Sequence, residues 1–473
     1  MSLDIASKVL DLVKAASPAA EAEVLVGGGE LALTRFANSF IHQNVADAST
    51  AVRLRLHVDG RTAAGSATIS GDSTTVDGEA LGRLVERTVV AAGLAPPDPQ
   101  WPGLAPAAEA PAVPPVDEAT AHADPAERAA RVRDFVAAAG GLETAGYCST
   151  ARVATAFANS AGMSASWVSA LASIDGIARS GRNDGVARLA SARLADLDGG
   201  RLGGRAAAKA RALDDARELP PGRYEVVLEP TAVVDLLGNL AVWGFNGKAL
   251  NEGRSFMELG AAQFDPSLSI VDDPFDPLGL GMAVDAEGTP KRRLAFVDAG
   301  VSAAVAHDRR SGAQSGAPST GHALPGGAAF GAVPLALHLL PAEGPDASEV
   351  DGPGGRDQGG LGPMADSSVA ALVSQVGRGL LVSDFWYTRV LDPRTLVMTG
   401  LTRNGVWLIE DGVITAPVQN FRFTQSYPQA LAPGAVLGIG TRSIGLPGDW
   451  EVMAYRAPAL RLASWNFTGN PSG

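Results

Sequence analysis

A short apolar run followed at once by an apolar helical pattern, between Gly222 and Phe245, constrains the fold most strongly. Tyr224–Leu228 has the length and composition of a buried strand. Pro230 suits the first turn of a helix, where its missing N–H costs nothing. The residues that then recur at helical spacing are apolar or small: Val233, Leu236, Leu237, Leu240, Ala241 and Gly244. The segment predicts a buried strand that runs into a buried helix. That helix has no His, no Cys and one carboxylate, Asp235.

The composition indicates a soluble globular protein, because hydrophobic residues make up 46% and charged residues 19% of the 473 positions. A chain of this length is expected to contain two or three domains. Its net charge of −13 argues against direct binding of nucleic acid, since phosphate contacts need clustered Lys and Arg. The sequence has no signal-peptide pattern, no apolar run near the length of a membrane span, and one cysteine, Cys148. We therefore expect a cytoplasmic protein with no membrane partner.

The order of helical and strand patterns predicts an α+β fold, with an N-terminal α/β domain and a larger C-terminal domain built on a curved antiparallel sheet. The predicted parts are an N-terminal α+β domain at residues 1–93, a Pro/Ala-rich linker at 94–125, a middle strand–helix region at 126–219 and a β-rich C-terminal domain at 220–473.

Glycine-containing turns mark the expected strand ends. Gly27–Gly29 would form the turn of a hairpin between Ala22–Val26 and Leu31–Arg35. Asn404-Gly405 and Asp411-Gly412 are two further hairpin signals. The acidic, Gly-rich stretch Glu343–Pro363 predicts a mobile surface loop.

Two groups of polar residues are candidates for a site. The first is a carboxylate-rich patch, for which we favour turn and capping roles over a metal site: Asp272, Asp273, Asp276, Asp285 and Glu287. The second is a Gly/Ser-rich loop flanked by His307 and His322, with Arg309 and Arg310 at its start. We interpret this loop as a peptide-binding or interface element whose arginines could receive a peptide carboxylate. A zinc site of two His and a carboxylate is the alternative.

Several blocks in combination resemble the TldD/PmbA family over nearly the whole chain. They are NEGRSF, SIVDDP and AVDAEGTP in the centre, STGHA at Ser319–Ala323, the long block Gly377–Gly412, and FRFTQS at Phe421–Ser426. The resemblance implies a zinc-binding HExxxH motif on the helix after Pro230 in active members. Here Gly238, Asn239 and Trp243 occupy its His, Glu and second His positions. The family's C-terminal zinc cysteine corresponds to a region, Leu437–Gly448, that has Ser443 and no thiol.

These substitutions imply a PmbA (TldE)-type subunit with no catalytic residues, no metal and no cofactor of its own. Its expected partner is a zinc-bearing TldD-type homologue, and together they would degrade or process unfolded peptides. A homodimer could form when that partner is missing. Two alternatives stay open at this point. One is an autonomous metallopeptidase whose site has moved to His307, His322 and nearby carboxylates, and the other is a homodimeric peptide-binding protein that cuts nothing.

Overall fold

The computed structural model describes residues 2–70, 78–343, 364–447 and 454–469. The loop predicted at Glu343–Pro363 lies outside this described part, except for its first residue, Glu343. Within it, no helix is both long enough and apolar enough to cross a membrane.

Strands and helices follow one another in runs along the chain, as an α+β fold requires. The α-helices are α1 (Ser2–Ala16), α2 (Gly78–Leu94), α3 (Glu118–Ala121), α4 (Pro125–Ala138), α5 (Gly199–Arg211), α6 (Pro230–Asn239), α7 (Gly247–Asn251), α8 (Arg309–Ser315), α9 (Ser367–Val373) and α10 (Tyr427–Ala430). The N-terminal strands are β1 (Glu21–Ala37), β2 (Phe40–Val58), β3 (Arg61–Ser70), β4 (Glu143–Asn159), β5 (Ser164–Ser180) and β6 (Asn183–Ser191).

The C-terminal strands are shorter on average, with two long exceptions. They are β7 (Gly222–Leu228), β8 (Ile270–Asp272), β9 (Leu294–Asp298), β10 (Val301–Ser302), β11 (Leu337–Leu339), β12 (Arg378–Asp392), β13 (Val397–Glu410), β14 (Val413–Val418), β15 (Arg422–Ser426), β16 (Val436–Ile439), β17 (Ile444–Pro447), β18 (Ala454–Ala457) and β19 (Leu460–Gly469).

The first six strands form one antiparallel sheet, in the order β3-β2-β1-β4-β5-β6. Strands from the predicted ranges 1–93 and 126–219 therefore share a single sheet. Side chains alternate across it, and the helices α1, α2, α4 and α5 pack on one face only, where Val24, Leu54 and Ile174 are fully buried. The opposite face carries the intervening residues, including Leu25 and Arg53.

The hairpin predicted at Gly27–Gly29 is wrong. β1 continues through the three glycines, which pair with Ser49–Ala51 on one side and Val153–Thr155 on the other. A side chain at Gly29 would bring its Cβ to 2.9 Å from the carbonyl oxygen of Arg152. This glycine therefore permits close approach of neighbouring strands, and the real turn lies at Asn38–Ser39, both with positive φ.

The C-terminal part contains two sheets around one large core. One has the order β10-β9-β8-β11-β18-β17. In the other, β12, β7, β19, β15 and β13 each pair with the next, and β13 pairs back to β12, so the five strands close into a ring. Helix α6 packs against β12 and β18, one strand from each sheet. The predicted α+β class and curved sheet are confirmed, although β7–β12 and β11–β18 pair in parallel.

One of the two later hairpin signals is also wrong. Asp411-Gly412 does form the turn between β13 and β14. Asn404-Gly405 instead lies inside β13, with φ of 57° and 137°. A Cβ at Gly405 would lie 2.0 Å from the ring of Trp407, so glycine is required there for packing.

Cys148 is fully buried, and burial raises the pKa of its thiol to about 12, which excludes a reactive thiolate.

Candidate functional site

The helix that follows Pro230 does not end as a regular α-helix. After Asn239 the backbone continues as a π-helical turn over Leu240–Gly244, and the N–H of Phe245 donates to the carbonyl of Leu240 at 2.7 Å. In an α-helix, residues five positions apart point in different directions. A π turn, in which hydrogen bonds span five residues, brings such positions toward the same face. Gly238 and Trp243 have this spacing.

Gly238, Asn239 and Trp243 offer no metal-binding group of the kind that zinc prefers. Gly238 has no side chain, and a Cβ there would make ordinary contact with Tyr455 at 3.7 Å. Asn239 donates its amide to the backbone carbonyl of Asp235 at 2.9 Å, one turn earlier in the same helix. Trp243 is only partly buried, against the large C-terminal core. Zinc sites use Cys, His and carboxylate ligands, so these residues do not fit a zinc ion.

The one carboxylate on α6, Asp235, is already hydrogen-bonded. Thr388 donates to Oδ1, and the hydroxyl of Tyr427 donates to Oδ2 at 2.8 Å. Tyr427 is fully buried, and burial followed by the charge of Asp235 raises its pKa well above the usual value, so it remains a donor. Asp235 therefore ties α6 to β12 and α10, and its role here is structural.

Ser443 immediately precedes β17, in the sheet against which α6 packs. The guanidinium of Arg456 lies 3.4 Å from its backbone carbonyl. None of the four residues Ser443, Gly238, Asn239 and Trp243 supplies a thiolate, imidazole or carboxylate. Within the ranges that the structure describes, no group of three or more His, Cys, Asp or Glu residues is arranged to hold a metal.

The structure brings His307 and His322 together through Thr320. The backbone N–H of His307 donates to Thr320 Oγ1 at 2.7 Å, and the same oxygen lies 2.8 Å from His322 Nδ1. His307 Nδ1 contacts Ser311 Oγ at 3.2 Å. Both histidines are buried, and burial lowers the pKa of each, more strongly than the nearby carboxylates raise it.

Arg309 and Arg310 both bond to the chain itself, although Arg310 also lines an open cavity of about 560 Å³. Arg309 donates to the carbonyl of Gly103 at 3.2 Å, and Arg310 forms a bidentate pair with Asp98 at 3.0 and 2.7 Å. Their acceptors belong to the segment 94–125, which packs against the body of the protein, as the burial of Leu104 also shows. These arginines therefore hold the chain's own segment in place.

His322 belongs to a buried ionic network centred on Asp272. The Oδ2 atom of Asp272 accepts from Lys291 Nζ at 3.0 Å and from His322 Nε2 at 3.1 Å, while Oδ1 accepts from the N–H of Ala336 at 2.8 Å. Burial alone would raise the pKa of Asp272, but Lys291 and then His322 outweigh it and hold that pKa below its usual value. Both nitrogens of His322 are therefore engaged in structural contacts.

The other members of the carboxylate patch also have separate partners. Asp273 and Asp276 accept from backbone N–H groups two residues later, as turn residues do. Asp285 accepts from the N–H groups of Glu287, Thr289 and Ala323. Glu287 accepts from Arg55 at 2.9 Å, across to the N-terminal sheet. These carboxylates therefore stabilise turns, and Glu287 in addition joins the C-terminal part to the N-terminal sheet. The turn bonds agree with the turn roles that we favoured.

Glu23, Arg55 and Glu287 form a second buried cluster with Asp285 nearby. Arg55 Nε lies 2.6 Å from Glu23 Oε1, and Glu23 Oε2 has no hydrogen-bond partner among the described atoms. Burial raises the pKa of Glu23 to about 7, against the opposing effect of Arg55. Burial and the neighbouring Glu287 raise the pKa of Asp285 to about 7 as well. The cluster thus contains a single arginine, Arg55, and three buried carboxyl groups, those of Glu23, Asp285 and Glu287.

This cluster predicts a pH-dependent effect of Glu23→Gln. The folded state binds the Glu23 proton more tightly than the unfolded state, so its contribution is fully present below pH 4.5 and is lost as pH rises to about 7. Between pH 5 and pH 8, the unfolding free energy of the variant should therefore rise relative to that of the wild type, by on the order of 2 kcal/mol. Urea unfolding at several pH values measures this change.

Glu30→Gln is the matched control for Glu23→Gln, because Glu30 is exposed on the same strand. Its stability should run parallel to that of the wild type across the pH range. Parallel curves for Glu23→Gln would mean that Glu23 titrates normally in the folded protein.

A pocket of about 260 Å³, which the sequence does not predict, lies on the face of the N-terminal sheet opposite its helices, here called the open face. Its lining comes from β1, β2, β4 and β5 on one side, and from residues 280–286, 321–325 and 333–335 on the other. A strand pattern shows which residues share a face, but not which distant loop lies over them. No local signal could have revealed this pocket.

Comparison with known proteins gives a consistent result. The family model described as the PmbA/TldA metallopeptidase C-terminal domain matches residues 221–469. The sequence matches none of the curated proteins. The fold is similar to that of TldE from Thermococcus kodakarensis, with a TM-score of 0.82 and 17% identity, covering 98% of this chain and 100% of that chain.

Two further solved structures are similar over their whole length. One is described as a candidate modulator of a DNA gyrase from Thermotoga maritima, with a TM-score of 0.78, 16% identity, and coverage of 98% of this chain and 100% of that one. The other is a candidate modulator of DNA gyrase from Bacteroides thetaiotaomicron, with a TM-score of 0.78, 17% identity, and coverage of 98% of each chain. At these identities the similarity is one of fold.

Proposed function

This chain belongs to the PmbA/TldD metallopeptidase family, and we propose that it is the metal-free subunit of a heteromeric zinc protease that degrades or processes unfolded peptides. Its partner would be a TldD-type homologue that supplies the zinc and the catalytic residues. In this assembly the chain contributes peptide-binding surface and encloses the site of cleavage.

One observation carries the proposal. The π turn after Asn239 has the backbone geometry that brings residues five apart toward one face, yet those positions hold Gly238 and Trp243. Because π turns are rare and occur frequently at functional sites, this turn is what a lost ligand site would leave behind. Asn239 and Ser443 at the other matched positions also lack the ligand chemistry of zinc.

The contacts of His307 and His322 favour this proposal over a relocated metal site. The Nε2 of His322 faces Asp272, its Nδ1 faces Thr320, and the Nδ1 of His307 faces Ser311. A zinc ion would have to break the Asp272–Lys291 pair, which is buried and costly to disrupt.

Peptides would bind to the complex by strand addition, which uses backbone hydrogen bonds and therefore tolerates many sequences. β3, with ten residues, is the longest edge strand in the described sheets. It is the edge that we expect an unfolded peptide to extend.

The isolated chain provides the first test. After dialysis against zinc, the purified protein should retain far less than one zinc per chain and should not cleave unstructured peptides such as casein fragments. Stoichiometric zinc and chelator-sensitive cleavage would overturn the proposal. In that case His322→Ala would test the relocated site, because it should then abolish both zinc binding and cleavage.

A further inference from the structure

The pocket on the open face of the N-terminal sheet has a floor built from neighbouring strands. Arg53 on β2 lies opposite Leu25 on β1, and Gly27 on β1 lies opposite Thr155 on β4, which in turn lies opposite Trp167 on β5. All five line the pocket. Most of its remaining wall is apolar, with Met282 and Leu335 on the C-terminal side. The pocket therefore lies between the two halves of the chain.

Gly27 leaves the floor open. A Cβ at this position would meet no atom within 4 Å, and the backbone there does not have the positive φ that only glycine tolerates. The empty space at Gly27 is therefore not required by packing or by backbone geometry, in contrast to Gly29, where a Cβ would contact the Arg152 carbonyl. A volume of about 260 Å³ can hold one apolar side chain together with a carboxylate on the same residue.

Arg53 gives the pocket a free positive charge. Its side chain is exposed, and no acceptor among the described residues pairs with it. The other charged groups of the lining are engaged: Lys291 and His322 contact Asp272, and Asp285 accepts three backbone N–H groups. Burial and Glu287 raise the pKa of Asp285 to about 7, so near pH 6 it does not add a full negative charge.

We infer that this pocket binds a carboxylate carried on an apolar group, as presented by the C-terminal residue of a peptide that ends in Leu or Phe. The carboxylate would pair with the guanidinium of Arg53, and the apolar side chain would lie over Gly27 against Leu25 and Trp167. The inference rests on the proposed peptide-handling function and adds to it a preference for free apolar C-termini.

Fluorescence polarisation tests this with peptides labelled at the N-terminus, at pH 6 and low salt, on the full chain. Fluorescein-Gly-Ala-Ala-Leu with a free carboxylate should bind at least tenfold more tightly than the same peptide ending in an amide or in Asp. Octanoate as a competitor distinguishes a general apolar carboxylate site from one that needs the peptide. Displacement only by the peptide acid supports a peptide site, and octanoate binding without peptide binding overturns the peptide assignment.

Two variants and two controls locate the binding. Arg53→Gln should weaken binding of the peptide acid at least tenfold and leave binding of the peptide amide unchanged. Arg35→Gln changes an exposed residue on β1 outside the pocket and should alter the binding of neither peptide. Gly27→Leu should abolish binding by filling the floor, and Gly82→Leu, where a Cβ also meets no atom, should not. Equal binding of acid and amide, or unchanged binding by Gly27→Leu, would overturn the inference. Cleavage by a mixture with the zinc-bearing homologue would still stand as an independent test of the proposed function.

Discussion

Replacing Asp272 by Asn is expected to lower the free energy of unfolding by about 3–5 kcal/mol, because it removes one partner of a buried ion pair. Asp272 is fully buried, and Lys291 is 5% exposed. The variant keeps an acceptor for the N–H of Ala336 but leaves the Lys291 ammonium without a counter-charge. Urea unfolding monitored by circular dichroism at pH 7 measures the loss.

The adjacent residue provides the control. Asp273→Asn changes a carboxylate that pairs with a half-exposed arginine, Arg293, and should cost no more than about 1 kcal/mol. The pKa of Asp272 is depressed in the folded state, so its contribution is present above the unfolded value of 3.8 and is lost as pH falls through the folded pKa. The difference between wild type and Asp272→Asn should therefore shrink below pH 4. Equal losses from both variants at pH 7 would contradict this account of the network.

Replacing Gly203 by Ala should destabilise the protein by about 3 kcal/mol, although alanine normally stabilises a helix. Gly203 lies in α5, and a Cβ there would come within 2.1 Å of the carbonyl oxygen of Phe135 in α4. The obstacle is backbone, which cannot rotate away as a side chain can. The helices would have to move apart, and buried contacts around Phe135 would be lost.

Gly204→Ala is the control, one position further along the same helix. A Cβ at Gly204 meets no atom within 4 Å, so this change should stabilise the helix by about 0.5–1 kcal/mol. Opposite signs for the two neighbouring substitutions are the expected result in thermal unfolding. The same sign for both would mean that α4 and α5 are not in this close contact.

The sequence predicted best what depends on local chemistry. Pro230 and the apolar spacing after it identified the helix and its burial, because both signals act within one turn. The π turn at Leu240–Gly244 could not be predicted this way, since its apolar residues suit an α-helix equally well. The assignment of Gly238, Asn239 and Trp243 to the motif positions rests on the family resemblance and not on the periodicity.

The glycine signals show where local reasoning fails. Gly27–Gly29 and Asn404-Gly405 have turn composition, but pairing with distant strands keeps both stretches extended within β1 and β13. The same limit applies to the candidate site. The sequence places His307 and His322 at the two ends of one loop, but Asp272, the partner of His322, lies 50 residues from it in the chain. Only the folded arrangement shows that His322 stabilises a carboxylate.

The central claim is that this chain acts only together with a zinc-bearing homologue, and a mixing experiment tests it most directly. Each protein is assayed alone and in an equimolar mixture, on an unstructured peptide, with and without a chelator. We expect little cleavage by this chain alone, and at least tenfold faster, chelator-sensitive cleavage by the mixture than by the homologue alone. If the mixture cleaves no faster than the homologue alone, or if this chain alone accounts for the cleavage, the claim of a metal-free partner subunit is contradicted.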